Sequence, residues 1–198
     1  MRNLDLATLV VATRNSGKLR EFRTLLASLH SRILSPADIG IEAEFRETGN
    51  SFEENARLKA IECSRRTSFP VLADDSGLEV EALGRRPGVH SARYAGAEAS
   101  DADRIRKLLH EVEKQGGGRK ARFVCALALA CEGELLCESL GICRGILAAS
   151  PRGANGFGYD PIFLLPELGR TFAELSESEK NLHSHRARAV SSLLAKLK

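Results

Sequence analysis

Two adjacent carboxylates, Asp74 and Asp75, followed by Ser76 and Gly77, close a short apolar run, Val71-Leu72-Ala73. Such a run reads as a buried strand, and the polar residues fall where a strand is expected to empty into a tight turn at Gly77. Neighbouring carboxylates repel each other, and a cation beside them relieves the repulsion. Successive strand residues point to opposite faces, so the two aspartates are expected to do different jobs, one facing a site and the other holding the turn. On these residues alone, an Asp-rich turn that caps its own backbone N–H groups is an equal alternative.

Four further stretches carry candidate chemistry. Thr13, Arg14, Asn15, Ser16, Gly17 and Lys18 lie between a β-branched apolar run, residues 8–12, and a stretch where Leu19, Phe22, Leu25, Leu26 and Leu29 recur at helical spacing. Strand, Gly-containing loop and helix present backbone N–H groups, a helix N-terminus and a lysine to an anion. This is not a Walker A loop, because Ala12 stands at its first glycine position and Leu19 where Ser or Thr follows the lysine. Glu47 precedes a second helical stretch that opens at Phe52, with Ser51 and Glu54 spaced as a capping box. On the face Phe52, Ala56, Lys59, Ala60 and Cys63, only Lys59 is charged, and it either snorkels or reaches a site. Downstream, Gly156 and Gly158 interleave with Phe157 and Tyr159 ahead of Asp160-Pro161. An aromatic on a permissive backbone can stack a flat ring, and Asp160, expected extended before proline, can accept a base N–H. A structural turn with core aromatics is the plainer reading. Lys180 closes a short helical stretch, and His185 and Arg186 lie near the start of the last one, where they can address an anion or a base edge, a solvated basic face being an equal alternative.

The elements that must position these residues follow from periodicity. Strands are expected at residues 8–12, 32–38 (running into a turn at Pro36), 71–73, 121–131, 134–144 and 161–165, and helices at 19–29, 52–67, 100–114, 176–180 and 187–197. The two long strands meet at Glu132-Gly133 as a hairpin. At 198 residues the chain suits one domain, or two lobes sharing a core, and roughly 70% of its unfolded surface can be buried. A net charge of +3 is too small to argue for a nucleic-acid surface. No run reaches membrane-spanning length and no signal peptide is legible, so a cytoplasmic location is the default. The five cysteines contain no C-x-x-C pair, which removes support for a zinc site, and they read as reduced, small apolar residues.

Taken together, the loops supply a cation site, phosphate ligands and a ring platform, the inventory for a nucleoside triphosphate with magnesium. The segments ATRNSGK, ETGNSFEENARLKA, ADDSGLEVEALGRRPGVHSARYAG, GFGYDPIF and EK…SHR, in this order, resemble the non-canonical purine NTP pyrophosphatases, the inosine/xanthosine triphosphate pyrophosphatase family. The similarity runs from about Val10 to Leu197. The resemblance implies an α/β fold: a long mixed central sheet flanked by helices, with two lobes and an active-site cleft between them, in a single domain that is usually a homodimer. It implies hydrolysis of ITP, dITP and XTP to the monophosphate and pyrophosphate, with Mg2+.

Carried over by position, residues 13–18 match the phosphate-binding loop, and Asp75 matches the general base and metal ligand. Ser76 matches a substrate contact, Phe157, Gly158, Tyr159 and Asp160 the nucleotide-binding segment, and Lys180, His185 and Arg186 the closing substrate contacts. Glu47 is implied as the second metal ligand. His183 stands where an apolar residue is usual and Ala187 where glycine is usual, departures that bear on nucleobase fit more than on the reaction. Rival readings are a pyrophosphatase for pyrimidine or modified nucleotides, a nucleotide-sensing module without turnover, and a nucleic-acid-binding domain.

Overall fold

The structure, a computed structural model, describes residues 6–42, 45 and 47–197. The first apolar run forms β1 (Thr8–Ala12), and the leucine stripe after Lys18 forms α1 (Ser16–Leu25). They are followed by β2 (Arg32–Leu34), α2 (Phe52–Ser64), β3 (Val71–Val80), α3 (Asp101–Lys114), β4 (Lys120–Cys131) and β5 (Glu134–Leu147). The chain ends with β6 (Phe163–Leu165), β7 (Arg170–Thr171), α4 (Glu177–His183) and α5 (His185–Lys196). The strands are ordered β2-β1-β3-β4-β5-β6-β7. β1 pairs in parallel with β2 and β3, whereas β6 pairs antiparallel with β5 and β7, so this is an α/β fold on a mixed sheet.

The chain divides into two compact units, one of Met1–Asp75, Cys125–Gly141 and Arg186–Lys198, the other of Ser76–Val124 and Ile142–His185. In the first, Leu9 and Val11 of β1 and Leu72 of β3 pack with Phe22 and Leu26 of α1, Leu127 and Leu129 of β4, and Val190 and Leu193 of α5. Val10 is as buried as its neighbours, as expected of a parallel strand covered on both faces. The second unit is centred on the rings of Phe123, Phe163 and Phe172, whose centroids lie 4.5–5.8 Å apart, with Ile105, Leu108 and Val112 of α3 packed around them. Each such fully buried side chain contributes roughly 1.5–3 kcal/mol. The five cysteines are thiols, Cys63, Cys125 and Cys143 buried and Cys131 and Cys137 partly so. Among the described residues, no helix is long and apolar enough to cross a membrane.

Several boundaries differ from the sequence reading, each for a physical reason. The run at Val71 does not stop at a turn: β3 continues through Asp74, Asp75, Ser76 and Gly77 to Val80. Leu78 and Val80 are fully buried and carry the strand onward, while both aspartates find partners without leaving it. Asp160 is not extended. Asp160–Ile162 is a 3-10 turn, because Tyr159 and Ile162 are both drawn into the core and Pro161 needs no N–H in a first turn. β6 accordingly starts at Phe163 rather than residue 161, and β5 runs on to Leu147. The capping pattern at Ser51 is shifted: Glu54 N–H donates to Ser51 Oγ, but the Glu54 carboxylate accepts the N–H of Asn50 instead of that of Ser51. His185 and Arg186 belong to the first turn of α5.

Candidate active site

β3 carries Asp74 and Asp75 at adjacent positions, and alternation along the strand gives them different partners. Asp74 pairs with Lys18 Nζ at 2.8 Å. Lys18 lies in the first turn of α1, where its backbone N–H donates to Oδ1 of the N-cap Asn15 at 3.0 Å, so the cap also sets where the lysine stem leaves the helix. Burial alone pushes the Asp74 acid up, but the charges of Lys18, Arg186 and Lys59 outweigh it and hold the acid down at about 2. Asp75 is also buried, and its Oδ2 accepts from Asn55 Nδ2 at 2.9 Å. Here burial, and after it the charge of Glu47, lift the acid to about 6 against the opposing pull of Lys18, Lys59 and Asn55. One aspartate is therefore a fixed anion, and its neighbour is an acid–base group near neutrality.

α2 supplies the facing groups. Asn55 and Lys59, four residues apart, share a buried face of that helix. Lys59 Nζ donates to the backbone carbonyl of Asp74 at 2.9 Å and pairs with the Glu47 carboxylate. Burial draws the Lys59 ammonium down, but Asp74 and Glu47 outweigh it, so its pKa is raised and it stays charged. Arg186 of α5 donates to Glu21 Oε2 of α1 at 2.7 Å, and both side chains are buried. Desolvation disfavours the guanidinium, yet Glu21 and Asp74 more than compensate. In the loop before α1, Asn15 N–H donates to Thr13 Oγ1 at 3.2 Å. Arg14 and Ser16 are exposed, and Gly17 is partly covered.

Asp75 and Glu47 offer two hard oxygen donors, and the Asp75 acid is raised first by burial and then by the Glu47 charge. A magnesium-type cation, which takes one or two carboxylates and completes its shell with water and phosphate, suits that donor set. Among the described residues, no three His, Cys, Asp or Glu side chains group into an all-protein metal cage.

The second unit holds the other candidates. Asp160 Oδ2 accepts the Phe157 N–H at 2.9 Å and pairs with Lys180, both carboxylate and ammonium being almost wholly buried. Lys180 Nζ also lies 4.9 Å from the Phe157 ring centroid and 5.5 Å from that of Phe172, within cation–π range. Gly156 has φ +76°, and a Cβ there would fall 2.1 Å from Asp160 Oδ2, so only glycine permits the turn to close on the carboxylate. Gly158 N–H donates to Asp101 Oδ2 at 2.6 Å. The Tyr159 ring belongs to the core, with its hydroxyl donating to the Ser91 carbonyl at 3.0 Å. His185 is buried with its ring stacked on Phe123, centroids 4.7 Å apart and 12° between planes. Ser76 is partly buried on β3.

Thus Lys18, Glu47, Asp75 and Arg186 fall within one network of charges in the first unit, and Phe157, Asp160 and Lys180 within one cluster in the second. Tyr159 serves its unit's packing. Four participants escaped the sequence reading: Glu21, Asn55, Asp101 and the lysine-paired role of Asp74. Two left a signal. Glu21 stands one turn before Leu25 on the apolar stripe of α1, and Asn55 falls three residues after Phe52 on that of α2. A polar residue on a buried stripe has a partner to find.

The chain is similar to known proteins. The chain is 52% identical over 186 residues to a dITP/XTP pyrophosphatase of Geobacillus kaustophilus, covering 93% of this chain and 91% of that one. It is 46% identical over 187 residues to a Bacillus subtilis protein of the same name, covering 93% of each. Among solved structures it resembles a HAM1 protein from Coxiella burnetii with a TM-score of 0.87 at 43% identity, covering 96% of this chain and 98% of that one. The Ham1 family model matches residues 9–196. On this evidence the chain belongs to the Ham1 family.

Proposed function

We propose that this protein is a nucleoside triphosphate pyrophosphatase. Its single domain hydrolyses purine nucleoside triphosphates bearing hypoxanthine or xanthine (ITP, dITP and XTP) to the monophosphate and pyrophosphate, and so keeps them out of DNA and RNA. The observation that carries the reading is the pair of buried neighbours on β3, Asp74 held by Lys18 at 2.8 Å and Asp75 held by Asn55 at 2.9 Å. Lys18 and Lys59 stand in the same network, and the chain is about half identical to enzymes called dITP/XTP pyrophosphatases.

In this mechanism Lys18, Lys59 and the N–H groups of Ser16 and Gly17 at the start of α1 bind the triphosphate oxygens. Asp75 orients a water toward the α-phosphorus and takes up its proton at Oδ1, and pyrophosphate leaves with the bonding electrons of the α–β bridge. Asp75 and Glu47 would hold Mg2+, which supplies charge neutralisation to the phosphates when bound. A metal-bound carboxylate is a weak base, so orienting the water is the larger part of what Asp75 does.

The Phe157 ring stacks the base, Lys180 donates toward O6 and Asp160 accepts from N1–H, with Ser76, Gly158, His185 and Arg186 as further contacts and Tyr159 anchoring the segment in the core. Adenine reverses the donor and acceptor at these two positions and would leave buried groups unpaired, which rejects ATP.

Pyrophosphate release from dITP, XTP, dUTP, dGTP and ATP, each with and without Mg2+, tests the reading. Turnover of dITP and XTP well above the others, only with the metal, is the expected result. Release of orthophosphate from ITP, or preference for dUTP, would overturn it. The protein is further proposed to act as a homodimer in the cytoplasm, and a monomer mass by light scattering would remove the dimer.

A further inference from the structure

Resting on that reading, we infer that Asn55 is the positioning residue for Asp75: its amide holds the carboxylate with one end and the loop that carries Glu47 with the other. Asn55 is fully buried. Its Nδ2 donates to Asp75 Oδ2 at 2.9 Å, and its Oδ1 accepts the Gly49 N–H at 2.7 Å. An ionised carboxylate only accepts and a backbone N–H only donates, so the amide fits in one orientation and cannot flip.

The anchor is stiff. Asn55 lies in the first turns of the 13-residue α2, whose start is fixed by Ser51 Oγ accepting the Glu54 N–H and by Glu54 accepting the N–H of Asn50. The loop lies closer to that helix than any side chain would permit. A Cβ on Gly49 would meet Glu54 Cγ at 2.7 Å and Asn55 Oδ1 at 2.8 Å. Asp75 needs such an anchor because it sits within a strand, where no turn orients its side chain. One turn further along the same helix, Lys59 pairs with Glu47, so both carboxylates are referred to one rigid element.

The alternative is that Asn55 merely satisfies buried polar groups, and two substitutions in the full-length protein separate the cases. Asn55→Asp keeps an acceptor for Gly49 and loses the donor to Asp75. The expected result is a fall in kcat of about 10- to 100-fold for dITP, with KM changed by less than about threefold and Gly49 amide exchange unaltered. Asn55→Leu removes both links, so kcat falls as far and Gly49 exchange accelerates by about tenfold or more. A folded Asn55→Asp protein with kcat within about twofold of the parent, or a loss confined to KM, would overturn the inference.

Should Asn55→Leu fail to fold, Gly49→Ala leaves Asn55 in place and presses on its Oδ1, and the same loss of kcat at constant KM is expected. If the parent released no pyrophosphate from any triphosphate, the proposed function would fall by itself. The 13C carboxyl resonance of Asp75 and the exchange of Gly49 then decide this link alone: both move in Asn55→Leu if it exists, and neither moves if it does not.

Discussion

The two units each contain a buried aspartate–lysine pair, and the pairs are used differently. In the second unit Asp160 and Lys180 neutralise each other, Lys180 lies against two aromatic faces, and Asp160 also accepts a backbone N–H. Every charge there has an answer nearby. In the first unit Lys18 pairs directly with Asp74, whereas Asp75 accepts from the Asn55 amide, and burial and the Glu47 charge outweigh the pull of Lys18 and Lys59 on it. A settled pair presents shape and hydrogen-bonding groups and suits recognition. An unsettled carboxylate has a proton to exchange and repulsion that a cation would relieve, and it suits chemistry.

The sharpest way to break this comparison is to make the same conservative change in both places. Asp75→Asn keeps shape and removes charge, and kcat for dITP is expected to fall by about 10^3-fold or more with little change in KM. Asp160→Asn is expected to act mainly on KM, raising it by about tenfold and narrowing the preference for dITP over ATP. Steady-state kinetics on both variants checks this. Equal losses of kcat in the two would erase the distinction between a reacting unit and a recognising one.

The contrast between the neighbours Asp74 and Asp75 yields a stability prediction of intermediate size. The folded state holds the Asp74 acid at about 2, below the ordinary 3.8, so its contribution is fully present above pH 3.8 and is lost as pH falls through 2. Asp75 has the opposite sign: with the acid raised to about 6, its contribution is fully present below 3.8 and is lost as pH rises through 6. In metal-free protein at about pH 8, Asp75→Asn should therefore be more stable than the parent by about 2 kcal/mol, and Asp74→Asn less stable by a similar amount. The Asp75→Asn gain should shrink toward zero by about pH 4, while the Asp74→Asn loss persists there. Urea unfolding across pH reads both. A catalytic carboxylate that costs stability is the usual exchange of stability for activity.

How much of this was legible beforehand follows from where the partners lie along the chain. The apolar stripes of α1, α3 and α5, the strands β1, β4 and β5, and the hairpin at Glu132-Gly133 were readable because short-range periodicity fixes them. That Asp74 and Asp75 have different partners followed from strand alternation, although the turn expected at Gly77 did not form. Local residue types suggested a loop, and burial of Leu78 and Val80 outweighed them. The pairings Glu21–Arg186 and Asn55–Asp75 were not legible, because they join residues 165 and 20 positions apart and depend on packing that no local window contains. Lys59 lay between these cases: its oddity on an apolar face was visible, but its partners Glu47 and Asp74 were not.

The smallest expected effect sharpens the comparison from the recognising side. Asp101, at the first residue of α3, accepts the Gly158 N–H at 2.6 Å and pairs with Arg104. It thereby steadies the turn carrying Phe157 without being buried in the cluster. Its carboxylate is half exposed, so solvent can replace it on the Gly158 N–H, and the lost bond is worth about 1 kcal/mol at most. Asp101→Ala should therefore raise KM for dITP by about threefold and leave kcat within about twofold, because the Phe157 N–H still closes on Asp160. A kcat loss of about tenfold or more would mean that this turn takes part in the chemistry itself, and the division of labour between the units would have to be redrawn.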